Sequence, residues 1–196
     1  MDEELRSLTE RLRREAAASG VPGASEACDR LAATDGTEDL ARVLTAPGQP
    51  LWARELAAFR LGTAGDRRAF EALVLLLNHR DPPRCASAAR ALARLRDPRT
   101  ARAAAALATN ELRVAYALQP VRLLVELRAP ESVPALITTL RRRLTPHDPY
   151  HRVALACVEG LGALADDRAV PVLTEALAHP ALAQAAVHAL ARIPHR

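Results

Sequence analysis

Between Arg141 and Arg152 the chain reads Arg-Arg-Arg-Leu-Thr-Pro-His-Asp-Pro-Tyr-His-Arg, which gathers cations, imidazoles, a carboxylate and a phenol within twelve residues. His147, Asp148 and His151 are donor types that hold a divalent metal, but two prolines, Pro146 and Pro149, interrupt them and no fourth donor stands nearby, so no metal is expected here. The arginines suit another chemistry. Guanidinium groups donate paired hydrogen bonds to carboxylates and phosphates, which points to an anionic partner rather than to a cofactor. Elsewhere the sequence offers no strong catalytic, metal or cofactor motif. The expectation is therefore no catalytic residue, no bound cofactor and no metal.

These residues are positioned by a repeating frame. Leu61, Leu92, Leu124, Leu161 and Leu190 recur at separations of 31, 32, 37 and 29 residues. A period near thirty with its own apolar pattern marks a helical hairpin copied along the chain. In register, the first helices contribute Ala58 and Leu61, Ala89 and Leu92, Val121 and Leu124, Val158 and Leu161, and Val187 and Leu190, each pair on one helical face. The second helices repeat Phe70, Leu73, Val74 and Leu77, then Val133, Leu136, Ile137 and Leu140, then Val170, Leu173, Thr174 and Leu177. Ala101, Ala104, Ala105 and Ala108 stand at these positions in the intervening copy, and a weaker first copy holds Cys28, Leu31, Leu40, Val43 and Leu44. Asp66, Asp97, Asp166 and Asp167 fall in the turns between paired helices, where a carboxylate accepts hydrogen bonds from free N–H groups. They read as caps rather than as acids or bases. The 37-residue step is the one marked departure from the period, and it coincides with the 141–152 segment. Insertions in repeat arrays collect on one face and often carry function.

Composition agrees with a helical array. The 196 residues are 49% hydrophobic yet only 3% aromatic, so the core must be built from Ala, Leu and Val, small side chains that let helices pack closely. All 27 basic residues are Arg, a bias expected first of a G+C-rich genome, and the net charge is +4. Residues 1–49 carry 6 Arg against 10 acids, whereas residues 50–196 carry 21 against 13. Cys28, Cys85 and Cys157 have no paired spacing and read as buried hydrophobes in a reducing compartment. A charged N-terminus without a secretory pattern and the lack of a membrane-length apolar run lead to an expected cytoplasmic location.

The stretch Arg152 to Ala178 opens with an Arg and small residues, places Leu161-Gly162 near the end of its first helix, turns at Asp166 and continues Ala-Val-Pro-Val-Leu. It resembles the HEAT-like repeat first named from phycobilisome lyases, and Leu61-Gly62 with Asp66 and Ser132 to Leu140 with Pro134 repeat parts of it. The resemblance, that of a small bacterial member, implies an all-α, right-handed solenoid of about five HEAT-like hairpins over 24–196. The units expected are about 24–47, 50–79, 82–110, 112–144 and 151–179, with a terminal half-unit 181–193. Residues 1–23 supply a capping helix, about Glu3 to Ser19, and a Gly20-Val21-Pro22-Gly23 linker; a detachable helix that pairs with a partner is the alternative use of it.

The family includes scaffolds, chromophore lyases, an iron-dependent hydroxylase and DNA glycosylases, so it does not choose an activity. The hydroxylases use His-Glu pairs, and no adjacent His-Glu pair occurs here. The resemblance also implies that second helices line a concave groove. Their exposed column should run Arg68, Glu71, Leu75, His79; Arg99, Arg102, Ala106, Asn110; Glu131, Pro134, Thr138, Arg142; Arg168, Pro171, Glu175, His179. That column is mixed in sign, whereas a phosphate track wants several cations and few acids. With Trp52 and Tyr116 the only large aromatics of the first helices besides Phe59, stacking platforms for bases are scarce. The expectation is a non-catalytic scaffold that binds a protein with an acidic surface through the groove and the 141–152 loop, using Arg99, Arg102, Arg142, Arg143, His147, Tyr150 and Arg168. Electrostatic binding of DNA or RNA is the alternative, followed by glycosylase-like or lyase-like chemistry. Arg84, Arg90, Arg94, Arg96, Arg113, Arg122 and Arg128, on first helices, should face outward.

Overall fold

A computed structural model describes residues 3–145 and 147–194. Pro146, one of the two prolines expected to interrupt the loop, lies outside the described residues. The fold is all-α, with no strand among the described residues. Two compact units divide the chain, residues 1–97 and 98–196.

The first unit holds α1 (Glu3–Ala18), α2 (Ala24–Ala33), α3 (Thr37–Thr45), α4 (Leu51–Thr63), α5 (Phe70–Leu77) and α6 (Pro82–Leu95). Helix α4 is its centre. It packs on α1, α2, α3, α5 and α6, and buries Trp52, Ala53, Leu56, Ala57, Ala58, Phe59 and Leu61. Small residues make this crowding possible. At Gly62 an added Cβ would stand 2.7 Å from Leu73 Cδ1 and 3.1 Å from Ala91 Cβ.

The second unit holds α7 (Thr100–Ala108), a 3₁₀ segment at Glu111–Tyr116, α8 (Leu118–Leu127), α9 (Ser132–Arg143), α10 (His151–Leu164), α11 (Val170–Ala176) and α12 (Pro180–Leu190). Helix α10 takes the central place here, against α8, α9 and α12. Polar ties fix neighbouring helices: buried Thr139 donates from α9 to the Ala108 carbonyl at 3.1 Å, and buried Ser132 donates to the Leu124 carbonyl at 2.6 Å.

The frame leucines Leu61, Leu92, Leu124 and Leu161 are all fully buried. Four residues after each, the helix ends on a left-handed residue: Gly65, Arg96, Arg128 and Ala165. Asp66 and Asp166 then cap as expected, each accepting the backbone N–H of the residue two positions on at 3.0 Å. The frame slips at the last hairpin. Val187 is 55% exposed and Leu190 half-buried, while Leu182, Ala186 and Ala189 face inward. Ala189 is drawn in because α12 presses on Gly162, where the absent side chain admits the Ala189 backbone. Likewise Val170 and Leu177 are partly exposed, and Val172, Leu173 and Ala176 form the buried side of α11.

Arg84 departs most from expectation. Instead of facing solvent it is buried, with side chain 8% exposed, and ion-paired to Glu15, Glu55 and Asp81. Glu55, on α4 and also buried, accepts from Arg11, Arg84 and Ser87. Helix α1 covers this face, which the repeat frame alone does not reveal. Two guanidinium groups and a hydroxyl around one carboxylate are what make burial of that charge tolerable.

Candidate functional site

All seven expected contact residues lie in the second unit, and so does the net charge: residues 98–196 carry 12 Arg against 8 acids, whereas residues 1–97 carry 15 of each. The exposed column of the second helices is where the frame puts it. Arg99, Arg102, Ala106 and Asn110, then Glu131, Pro134 and Arg142, then Arg168, Pro171 and Glu175 are exposed, with Thr138 and His179 half-buried.

Exposure and available charge are different properties, because several of these arginines already hold an acid. Arg168 grips Asp166 at 2.7 Å, and that hydrogen bond is the main reason the Asp166 carboxyl is held below the ordinary range. Arg68 does the same to Asp66 in the first unit and reaches Glu38 at 2.9 Å as well. Arg142 pairs with Glu111 at 3.0 Å and donates to the Thr109 carbonyl at 2.8 Å. The signal for the turn pairs stands in the sequence as a recurrent Asp-x-Arg, at Asp66/Arg68, Asp97/Arg99 and Asp166/Arg168. Arg102, Arg141 and Arg152 are exposed and carry no such ion pair among the described residues.

The 144–150 insertion is folded onto the end of α9. Arg143 meets Asp148 Oδ2 at 3.1 Å, with side chains only 15% and 10% exposed, and lies 6.0 Å from the centroid of the Tyr150 ring. Asp148 Oδ1 accepts the Tyr150 N–H at 2.8 Å, which closes a turn just before α10. His147 adopts a left-handed backbone with φ of 61°. Arg143, Asp148 and Tyr150 thus build the loop, and His147 rides on it.

The loop walls a cavity of about 480 Å³. His147 and His151 come from the loop edge, His179 from the α11–α12 turn, and Ala154, Pro180 and Leu182 supply apolar wall. His179 was expected only in the groove column; its approach to this loop was not, since it belongs to the following helix pair. Both Asp148 oxygens are engaged, so this carboxylate is not free to orient an imidazole as an acid–base pair would require. No group of three or more His, Cys, Asp or Glu among the described residues is arranged to hold a metal ion. What the site offers is three imidazoles and nearby cations beside an apolar wall, on a braced loop.

Stacked helical hairpins with a Leu-Gly close approach, a capped Asp turn and solvent-facing second helices define a HEAT-like repeat protein. Residues 153–179, which cover most of α10 and all of α11, match the family described as the PBS lyase HEAT-like repeat, in keeping with the all-α helical hairpins of the fold. No curated protein matches it. Among the described residues no helix is long and apolar enough to cross a membrane.

Proposed function

We propose that this protein is a non-catalytic scaffold that binds an acidic protein surface through the second unit, with the 141–152 segment as its principal contact. One observation carries the reading. The segment holds four arginines and two histidines against a single acid, Asp148, and that acid is spent on bracing the loop. Arg141 and Arg152 remain exposed at the two ends of this segment. A braced cationic edge loses little conformational entropy when it meets carboxylates, which favours recognition there over recognition by mobile side chains. On the second helices, Arg102 is exposed as well, with Arg99, Arg142 and Arg168 at exposed positions of the same repeat column.

The test is affinity capture followed by mass spectrometry with the wild-type chain and with R102E/R141E/R152E. A specific acidic partner should be lost from the variant and released from the wild type by moderate salt, with helicity and melting unchanged. Equal capture by both proteins overturns the reading. Retention of mixed-sequence DNA or RNA at low salt, abolished by the same substitutions, would replace it with phosphate-directed binding.

A further inference from the structure

Helix α1 is attached to the first unit in an unusual way. Only Leu8, Leu12 and Ala16 of its 16 residues are buried. Ion pairs of both signs supply much of the rest: Glu4 with Arg94 at 2.7 Å, Arg11 with Glu55, Arg13 with Asp29 at 3.1 Å, and Glu15 with Arg84 at 2.5 Å. The fit is incomplete at both ends. A cavity of about 630 Å³ opens between α1 and the α4–α6 face, where Leu8, Phe59, Pro83 and Ala86 form an apolar patch beside Ser7 within a mainly charged rim that includes Glu4, Arg11, Arg90 and Arg94, and another of about 490 Å³ lies beside Ser19, Val21, Pro22 and Trp52. The connection to α2 contains Gly20 and Gly23, both left-handed with φ of 72° and 75°, so backbone rotation is permitted where a lifted helix would need it.

Part of the polar balance of the covered face is its own, although Arg94 and Asp29 would each lose a pair made with α1. Without Arg11 and Glu15, Glu55 would still hold Arg84 and Ser87, and Arg84 would still hold Asp81. Removal of the helix would uncover a groove whose polar floor keeps the Glu55–Arg84–Asp81 pairs and a small apolar flank at Phe59, Pro83 and Ala86.

We propose that the surface formed by α2 and α4, with the charged edge of α6, is a docking site for an amphipathic helix of a partner protein, and that α1 is its built-in, displaceable occupant. The site reads an acid in the first turn, leucines four residues apart, an Arg three residues after the first leucine and an acid four residues beyond that Arg. The unfilled cavity specifies the partner further. A larger apolar side chain at the position of Ser7 fills space that α1 leaves open, so a partner helix with Leu there outcompetes α1. A short tether gives α1 an effective concentration in the millimolar range, which a poorly filled site needs in order to stay closed and a better-fitting helix overcomes.

The probes are labelled synthetic peptides of residues 3–19, with Ser7 and with Ser7→Leu, titrated by fluorescence anisotropy against the full chain. The variant L8A/L12A, which weakens the resident helix, should bind the native-sequence peptide at least about tenfold more tightly than wild type does, and the Ser7→Leu peptide about tenfold more tightly again. No peptide binding to L8A/L12A, or no gain from Ser7→Leu, overturns the proposal; a concentration-dependent dimer that buries α1 would make a second copy the occupant instead. Hydrogen exchange on the wild type decides the matter even if the variant unfolds. Amides of 8–16 should exchange well before those of 56–61, and equal protection refutes displacement.

Discussion

Exchanging Gly and Ala at two positions three residues apart on one helix should change stability in opposite directions, and against helix propensity at the first. Ala is favoured over Gly inside a helix by about 1 kcal/mol, so Gly162→Ala in α10 ought to stabilise if local preference decided. Packing decides otherwise. The new Cβ would stand 2.6 Å from Ala189 Cα and 2.7 Å from Ala189 Cβ, and the obstacle is the α12 backbone rather than a side chain that could turn away. Overpacking of this kind costs about 1–3 kcal/mol, and with a rigid obstacle the upper half of that range applies, for a net loss of about 1–2 kcal/mol. Ala165, the left-handed end of the same helix with φ of 55°, is the reverse case. A non-glycine residue there costs about 1–2 kcal/mol; after subtracting the extra unfolded-state entropy of Gly, about 0.4–1 kcal/mol, Ala165→Gly should gain about 0.5–1 kcal/mol. For a chain of this size 1 kcal/mol moves melting by about 2–4 °C, so G162A should melt about 2–8 °C lower and A165G about 1–4 °C higher. Thermal melts and urea titrations followed by circular dichroism measure both. If G162A melts at or above wild type, the close approach of α10 and α12 is wrong; if A165G melts lower, the left-handed assignment is.

Three further outcomes follow from the polar framework. Removing the turn carboxylates in D66A and D166A should each cost about 1 kcal/mol at neutral pH, the usual worth of a helix-opening cap. Hydrogen bonds from Arg68 and Arg168 depress both carboxyls, so their contribution is complete above the ordinary carboxylate pKa of about 4 and is lost as pH falls through the lower folded value. Urea midpoints of wild type and D66A/D166A should therefore converge near pH 2, and a gap that persists there contradicts the pairing. E55Q should cost about 3 kcal/mol, because Arg11 and Arg84 then face an amide in a buried site, and adding R84M should recover part of the loss; an additive double variant would show that the two side chains do not interact. Burial pushes the Cys157 thiol up to about 12 and Cys28 to about 11, so both should resist a disulfide reagent at pH 8 until urea is added, and rapid native reaction would refute their inaccessibility.

Much of the fold was legible because the frame leucines encode both period and face: positions aligned on Leu61, Leu92, Leu124 and Leu161 gave the buried pairs and the exposed column correctly. The register failed at the last hairpin, where Val187 is exposed and the Gly162 contact draws Ala189 inward. Arg84 and Glu55 were illegible for a different reason. Each sits on a first helix, and their burial depends on α1, a segment outside the repeat whose docking angle no periodicity encodes. Of the site, the sequence disclosed the insertion and its residue types but not the bracing of Arg143 by Asp148, nor the approach of His179 from the next hairpin.

The pairing pattern also bears on what an arginine-only surface can recognise. At the turns the frame couples an Arg to an Asp two residues earlier, so Arg68 and Arg168 are largely neutralised where they stand, and a partner carboxylate would have to displace Asp66 or Asp166 at no net gain in ion pairs. On α9, Arg142 is similarly committed to Glu111. The insertion breaks this local matching: its single acid holds Arg143, and Arg141 and Arg152 flank it without an internal acid among the described residues. A partner carboxylate gains a new ion pair there without breaking an old one. Affinity should therefore depend on Arg141 and Arg152 more than on the more conspicuous Arg168, and R168E, which also sets a like charge against Asp166, should reduce stability before it reduces binding.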